Sequence, residues 1–264
     1  RAQLARCIDL NTTDPTIFIP LQFSFCRNPG LAIPLIALQY HEVKLHFRIA
    51  TKADIGMEAV AAGGVPSLSS ACCYCDYIYL DTDERRRFAQ TSHEYLIEQV
   101  QANRGNKYDK DCLVKHELNF NHPVKELVWV HAKTSSGTKF QFKDNANQTA
   151  GVTGAADEAV LKLNGHERFS KRPGDYFKNV QRYQHHSGAH QLLSNESTTP
   201  IYCYSFALQP EEHQPSGTCN FSRIDNALLE ITGSSQDAEC TDIYAVSYNV
   251  LRVMSGMGGL AYSN

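Results

Sequence analysis

Pro210-Glu211-Glu212-His213-Gln214-Pro215-Ser216-Gly217-Thr218-Cys219-Asn220-Phe221-Ser222-Arg223-Ile224-Asp225-Asn226 joins two strand-like runs, residues 201–208 and 227–232. Proline fixes φ and glycine is free to take positive φ, so the stretch reads as a shaped, rigid turn. Nothing in it forms a catalytic set. Pro215, Ser216, Gly217, Asn220, Ser222, Arg223 and Asp225 are its candidate shaping residues. Arg223 and Asp225 stand near enough to pair or hydrogen-bond, although an exposed pair contributes little.

Strand signals surround this turn. Residues 16–23 are rich in β-branched and aromatic side chains, and residues 43–49 alternate Val43, Leu45, Phe47 and Ile49 with Lys44, His46 and Arg48. That alternation predicts a half-buried strand. Residues 74–80 mix aromatic and aliphatic side chains, and 113–120 and 126–132 read as a pair around Asn121-His122-Pro123. Further strands are expected over 159–163, 201–208, 227–232 and 242–253. In the last, Ile243, Ala245, Ser247, Asn249, Leu251 and Val253 share one face, opposite Tyr244, Val246, Tyr248 and Val250. Helical signals are few: 83–90, 93–101 and 175–184. Many short strands without alternating long helices point to an all-β sandwich or barrel and against a doubly wound α/β fold. Residues 133–158 and 187–200 read as long polar loops, and residues 56–70 as a linker.

The 264 residues are 42% hydrophobic and 20% charged, with a formal net charge of −3. No positive excess suggests direct nucleic-acid binding. Arg85-Arg86-Arg87 follows Asp81, Asp83 and Glu84 and reads as a solvated mixed-charge turn. No apolar run reaches the ~18 residues of a membrane-spanning helix, so no membrane insertion is expected. Nine cysteines are present. Cys72, Cys73 and Cys75 cluster and the rest are scattered, a weak case for a zinc ribbon; buried free thiols in a reducing compartment are expected. The sequons at Asn11, Asn147, Asn195 and Asn220 read as chance matches.

Few residues fall into a catalytic pattern. His185, His186 and His190 form the densest histidine cluster, and a jelly-roll metal enzyme would use such a set. Ser187-Gly188 between them argues against one helix face. His93-Glu94 and His116-Glu117 begin as metalloprotease motifs do, but Ile97 and Phe120 stand where the second histidine belongs. No nucleophile elbow, P-loop or dinucleotide-binding glycine motif occurs. Gly256-Met257-Gly258-Gly259 reads as flexible backbone in a close-packed terminal segment. Glu211-Glu212 precedes a turn with no obvious partner. No cofactor or metal is expected. A carbohydrate-binding module acting through the tyrosines is a further alternative.

Several blocks, in order, resemble one family. They are Ile19-Pro20-Leu21-Gln22-Phe23 with Phe25-Cys26-Arg27-Asn28-Pro29-Gly30; Pro34-Leu35-Ile36-Ala37-Leu38-Gln39-Tyr40-His41-Glu42; Asp76-Tyr77-Ile78-Tyr79-Leu80-Asp81-Thr82-Asp83-Glu84-Arg85-Arg86-Arg87-Phe88; Leu163-Asn164-Gly165-His166-Glu167-Arg168-Phe169; Pro215-Ser216-Gly217 with Asn220 and Ser222-Arg223; and the ending Ser255-Gly256-Met257-Gly258-Gly259-Leu260. Together they resemble the double jelly-roll major capsid proteins of nucleocytoplasmic large DNA viruses, with algal-virus and mimivirus-like members the most similar. The resemblance implies an all-β jelly-roll β-sandwich with few short helices. Residues 1–55 would be the last strands of an incomplete first jelly roll, 56–70 a linker and 71–264 a near-complete second one, so a partial chain is expected. It also implies a non-enzymatic structural role: a homotrimer forming pseudo-hexagonal capsomers that tile an icosahedral shell. Partners would be neighbouring capsomers and minor capsid proteins, in a virion assembled in the host cytoplasm. Residues 133–158 would be a surface or inter-subunit loop.

Overall fold

The computed structural model describes residues 18–47, 70–107, 113–132, 158–187, 201–232 and 240–262. They group into two compact units. One takes residues up to Glu42 with Asp81–Glu98 and Val250–Ala261; the other takes Val43–Leu80, Gln99–Asn249 and Tyr262. Most of the strand structure lies in the second.

Among the described residues, eleven strands form two antiparallel sheets. They are β1 (His93–Lys107), β2 (Leu113–Glu117), β3 (Pro123–Ala132), β4 (Glu158–Leu163), β5 (His166–Glu167), β6 (Arg172–Pro173), β7 (Ile201–Ser205), β8 (Cys219–Asn220), β9 (Ala227–Thr232), β10 (Cys240–Met254) and β11 (Met257–Leu260). One sheet runs β1-β10-β3-β7, with β11 on β10 and β8 on β3; the other runs β2-β9-β4-β5, with β6 on β4. Successive long strands alternate between sheets, and the last long strand, β10, returns between the first and the third. That is the strand order of a jelly roll.

Each strand turns one row of side chains inward. Leu127 and Trp129 of β3, Leu161 of β4, Tyr202 of β7, Leu229 and Ile231 of β9, and Ile243 and Ala245 of β10 meet in one buried core. A file of rings runs through it: His131, Tyr202, Trp129, Phe177, Phe169, Tyr204, Phe206, Phe221 and Phe120, with successive centroids 4.8 to 6.1 Å apart. Such pairs contribute about 0.5–1.5 kcal/mol each beyond the area they bury. On the far side of the second sheet Glu230 is buried beneath Lys162, 2.8 Å away, and Lys115, 3.6 Å away. The Lys162 hydrogen bond, outweighing burial, holds the Glu230 carboxyl below its usual range.

Several sequence expectations need correction. Residues 93–101 are strand, not helix: β10 offers a ladder partner that local helix preference does not outweigh. Residues 113–117 and 123–132 are strands but not partners, because β2 pairs with β9 while β3 pairs with β10 and β7. The chain changes sheets at Asn121-His122-Pro123, where His122 takes φ +68°. Residues 18–23, 43–47 and 74–80 form no regular strand. Tyr74, Tyr77, Ile78 and Tyr79 stand exposed, and an extended segment stays out of a sheet without a neighbouring ladder.

Two helical expectations hold. Helix α2 (Thr82–Gln90) starts where Asp81 accepts the Glu84 backbone N–H at 3.0 Å. It follows the single turn α1 (Ser24–Arg27). A π turn, Tyr176–Val180, runs into α3 (Gln181–His185). Gly256 and Gly258 near the C-terminus are close-packed, while Gly259 faces open space: Ser255 and Gly256 turn β10 into β11 at φ +52° and +80°, and a Cβ on Gly256 would meet the Tyr40 ring at 2.5 Å. Among the described residues, cysteines occur both buried and exposed. Cys203 and Cys240 are buried, but Cys26, Cys72, Cys73 and Cys75 are exposed, so burial does not explain them all.

Candidate functional site

The chain leaves β7 of the first sheet at Ser205 and enters β9 of the second at Ala227, touching the first sheet again at β8. Residues 210–226 carry it between the sheets, and three anchors shape that passage. The first is at Ser216 and Gly217. The Ser216 hydroxyl accepts the Gln209 N–H at 3.0 Å. Gly217 takes φ +145°, and a Cβ there would lie 2.9 Å from the Phe206 carbonyl oxygen. Both the backbone angle and the space require glycine.

The second anchor is at Asn220 to Ser222. β8 pairs with the start of β3, Asn220 opposite Pro123 and Cys219 opposite Val124. Asn220 Oδ1 accepts the Ser222 N–H at 3.1 Å and caps the short turn Phe221–Arg223. Phe221 plugs into the core. Ser222 Oγ accepts the His122 N–H at 2.8 Å, and the Phe221 N–H donates to the His122 carbonyl at 3.1 Å. The sheet-changing residue His122 is thereby held on both backbone groups.

The third anchor lies at the far end. Asn164 Oδ1 accepts the N–H groups of Asp225 and Asn226 at 3.0 and 3.1 Å, and the Asn164 N–H donates to the Asn226 carbonyl at 2.7 Å. Asn164 and Gly165 turn β4 into β5 at φ +50° and +83°, an Asn-Gly hairpin with both central residues at positive φ. Of the sequence candidates, Ser216, Gly217, Asn220 and Ser222 act directly in the brace. Asp225 serves through its backbone. Pro215 and Arg223 are exposed, and no ion pair joins Arg223 to Asp225 among the described residues. Asn164 and His122, which the sequence offers only within a family block and within the Asn121-His122-Pro123 turn, complete the brace. The Asn-Gly dipeptide was the available signal for the first; a positive φ at a histidine leaves none.

A second cluster lies where α3 ends. His185 Nδ1 meets the Leu208 carbonyl oxygen at 2.9 Å. His186 stands between two carboxylates, Nε2 3.2 Å from Glu126 of β3 and Nδ1 3.3 Å from Glu211. The Glu126 contact is off the hydrogen-bonding line and is chiefly ionic. Contact with the Cys203 side chain first, then with Glu126, overcomes burial and raises the His186 pKa to about 10. Glu211 also accepts the Ser187 N–H at 2.9 Å and the Ser187 hydroxyl. Burial would raise the Glu211 pKa, but the Ser187 bonds and the His186 charge outweigh it and lower it. Glu211 therefore has partners the sequence did not disclose. His190 lies outside the described residues, as do 133–157 and 188–200. The described histidines of the proposed metal set are engaged in ionic and backbone contacts that pin α3 to β3 and to the 205–217 turn. Among the described residues no group of three His, Cys, Asp or Glu is placed to hold a metal. No described helix is long and apolar enough to cross a membrane.

Comparison with known proteins gives a consistent result. A family model described as large eukaryotic DNA virus major capsid protein matches residues 84–259, and one described as major capsid protein N-terminus matches residues 1–81. The major capsid protein of Pyramimonas orientalis virus is 53% identical over 96% of this chain and 63% of its own length. That of Paramecium bursaria Chlorella virus 1 is 40% identical over 94% of this chain and 66% of its own length. The chain thus spans just under two thirds of these relatives. A quasi-atomic model of the PBCV-1 virus capsid covers the whole chain with a TM-score of 0.72 at 36% identity, matched over 75% of that protein.

Proposed function

The chain belongs to the major capsid protein family of large eukaryotic DNA viruses, and from that premise we propose that it is a structural wall subunit of an icosahedral virion. The observation that carries this is a jelly-roll sandwich in which a hydrogen-bonded brace fixes a strand crossover. Anchors on Gly217, Asn220, Ser222 and Asn164 hold the passage between the two sheets at several points along its length. A wall subunit needs that rigidity, because loops placed by a stiff sandwich meet their neighbours in a fixed geometry. The subunit acts as a homotrimer forming a pseudo-hexagonal capsomer, with neighbouring capsomers and minor capsid proteins as partners. Residues 1–55 close a first jelly roll, 56–70 link it to the second, and 71–264 build the second. Assembly takes place in the host cytoplasm, with no direct nucleic-acid contact and no catalysis.

Electron microscopy of the purified protein tests the reading. Pseudo-hexagonal particles with threefold averages are expected. Single globular protomers at assembly concentrations would contradict it.

A further inference from the structure

Two histidines lie inside the sandwich, away from the brace. His131, at the end of β3, has no exposed surface; His116, on β2 of the opposite sheet, is 3% exposed. Both point inward, in the rows that carry Trp129 and Leu118. From β10, Thr241 is opposite His131 in register, its hydroxyl 3.0 Å from Nδ1. From β7, the phenol ring of Tyr202 packs 5.3 Å from the imidazole. From β9, Leu229 lies opposite His116 in register. His116 Nε2 is buried with no hydrogen-bond partner among the described residues. The charged groups of this part of the second sheet, Lys115, Glu230 and Lys162, meet on its other face.

We propose that His116 and His131 form an acid-operated release: taking up protons in the sandwich interior frees β2 from the edge of its sheet. A charged imidazole in an apolar interior is costly unless it is paired or reaches water. β2 is the cheapest place to yield. It is five residues long and, among the described residues, stands at the sheet edge with β9 as its strand partner. His131 is held on a central strand between β10 and β7, so a charge there adds repulsion across the sandwich but has no comparable exit.

The electrostatics agree in sign. Burial lowers the pKa of His116, and burial together with the His116 charge lowers that of His131 to about 3. A histidine lowered in the folded state contributes stability that is complete above about 6.5 and is lost as pH falls toward the folded value. His186 acts in the other direction: its contribution is complete below about 6.5 and already declines as pH rises from there toward 7.4. Glu211 and Glu230, held below the ordinary glutamate value of 4.5, lose their contribution only in more acidic solution. The interval from pH 7.4 to 5.5 therefore separates the interior histidines from the two carboxylates, and an opening confined to β2 leaves the His186 contacts with Glu126 and Glu211 in place. The inference concerns the sandwich itself and does not depend on the capsid reading.

Amide hydrogen exchange of the full chain, corrected for the intrinsic effect of pH on exchange, tests it. The opening equilibrium of residues 113–117 should rise about tenfold between pH 7.4 and 5.5, the factor for one histidine that titrates only when open. His116→Leu should abolish that rise while residues 240–249 stay protected. His116→Gln serves the same comparison if the leucine variant does not fold. In proton-detected titration of the wild-type imidazoles, both should stay neutral to below pH 6. An ordinary midpoint near 6.5 for His116, or an unchanged opening equilibrium in the wild type, would overturn the proposal.

Discussion

β3 and residues 74–80 carry the same kind of sequence and reach opposite outcomes. In β3, Val124, Leu127 and Trp129 are fully buried, with β10 on one side and β7 on the other. In residues 74–80, Tyr74, Tyr77, Ile78 and Tyr79 are 66–92% exposed and no strand forms. The difference is not propensity, since aromatic and β-branched side chains favour strands in both. It is the presence of a ladder partner. A strand is a property of a pair, and residues 74–80 have no such pair among the described residues.

The largest test of this contrast is a truncation in each region. Trp129→Ala removes the ring that stacks on Tyr202 and packs on Phe177, and should cost about 3–5 kcal/mol. Tyr79→Ser, at a side chain 92% exposed, should change stability by no more than ~0.5 kcal/mol. Denaturant unfolding reads both; comparable losses would break the contrast.

The brace comes next. Gly217→Ala puts a methyl group at φ +145° against the Phe206 carbonyl oxygen, and should cost about 1–3 kcal/mol. A thermal melt unchanged from wild type would mean the passage between sheets is not shaped at Gly217. Alkaline pH probes the other end of the same turn. Because the His186 pKa is raised, its contribution is complete below about 6.5 and is lost as pH rises through about 10. Melting temperature should therefore fall between pH 9 and 11 in wild type and fall less in His186→Gln. Smallest of all is Arg27→Ala. Its 2.9 Å ion pair with Glu98 is half-exposed on the arginine side, and the change should lie within about 0.5 kcal/mol.

Much of this was legible in the sequence. The runs at 159–163, 227–232 and 242–253 appear almost to the residue, because each has a periodic or continuous apolar pattern bounded by turn formers. The rigid turn at 210–226 was readable from Pro215, Gly217 and Asn220. What escaped depends on pairing across the chain. Residues 93–101 look helical alone and become strand only beside β10. Asn121-His122-Pro123 looks like a hairpin turn and is a crossover between sheets. Glu211 gains its partners from Ser187 and His186, more than twenty residues earlier, which no local window contains.

Static and dynamic light scattering at assembly concentrations tests the central claim most directly. The account predicts a particle of three times the protomer mass, stable to dilution. A monodisperse monomer would contradict it.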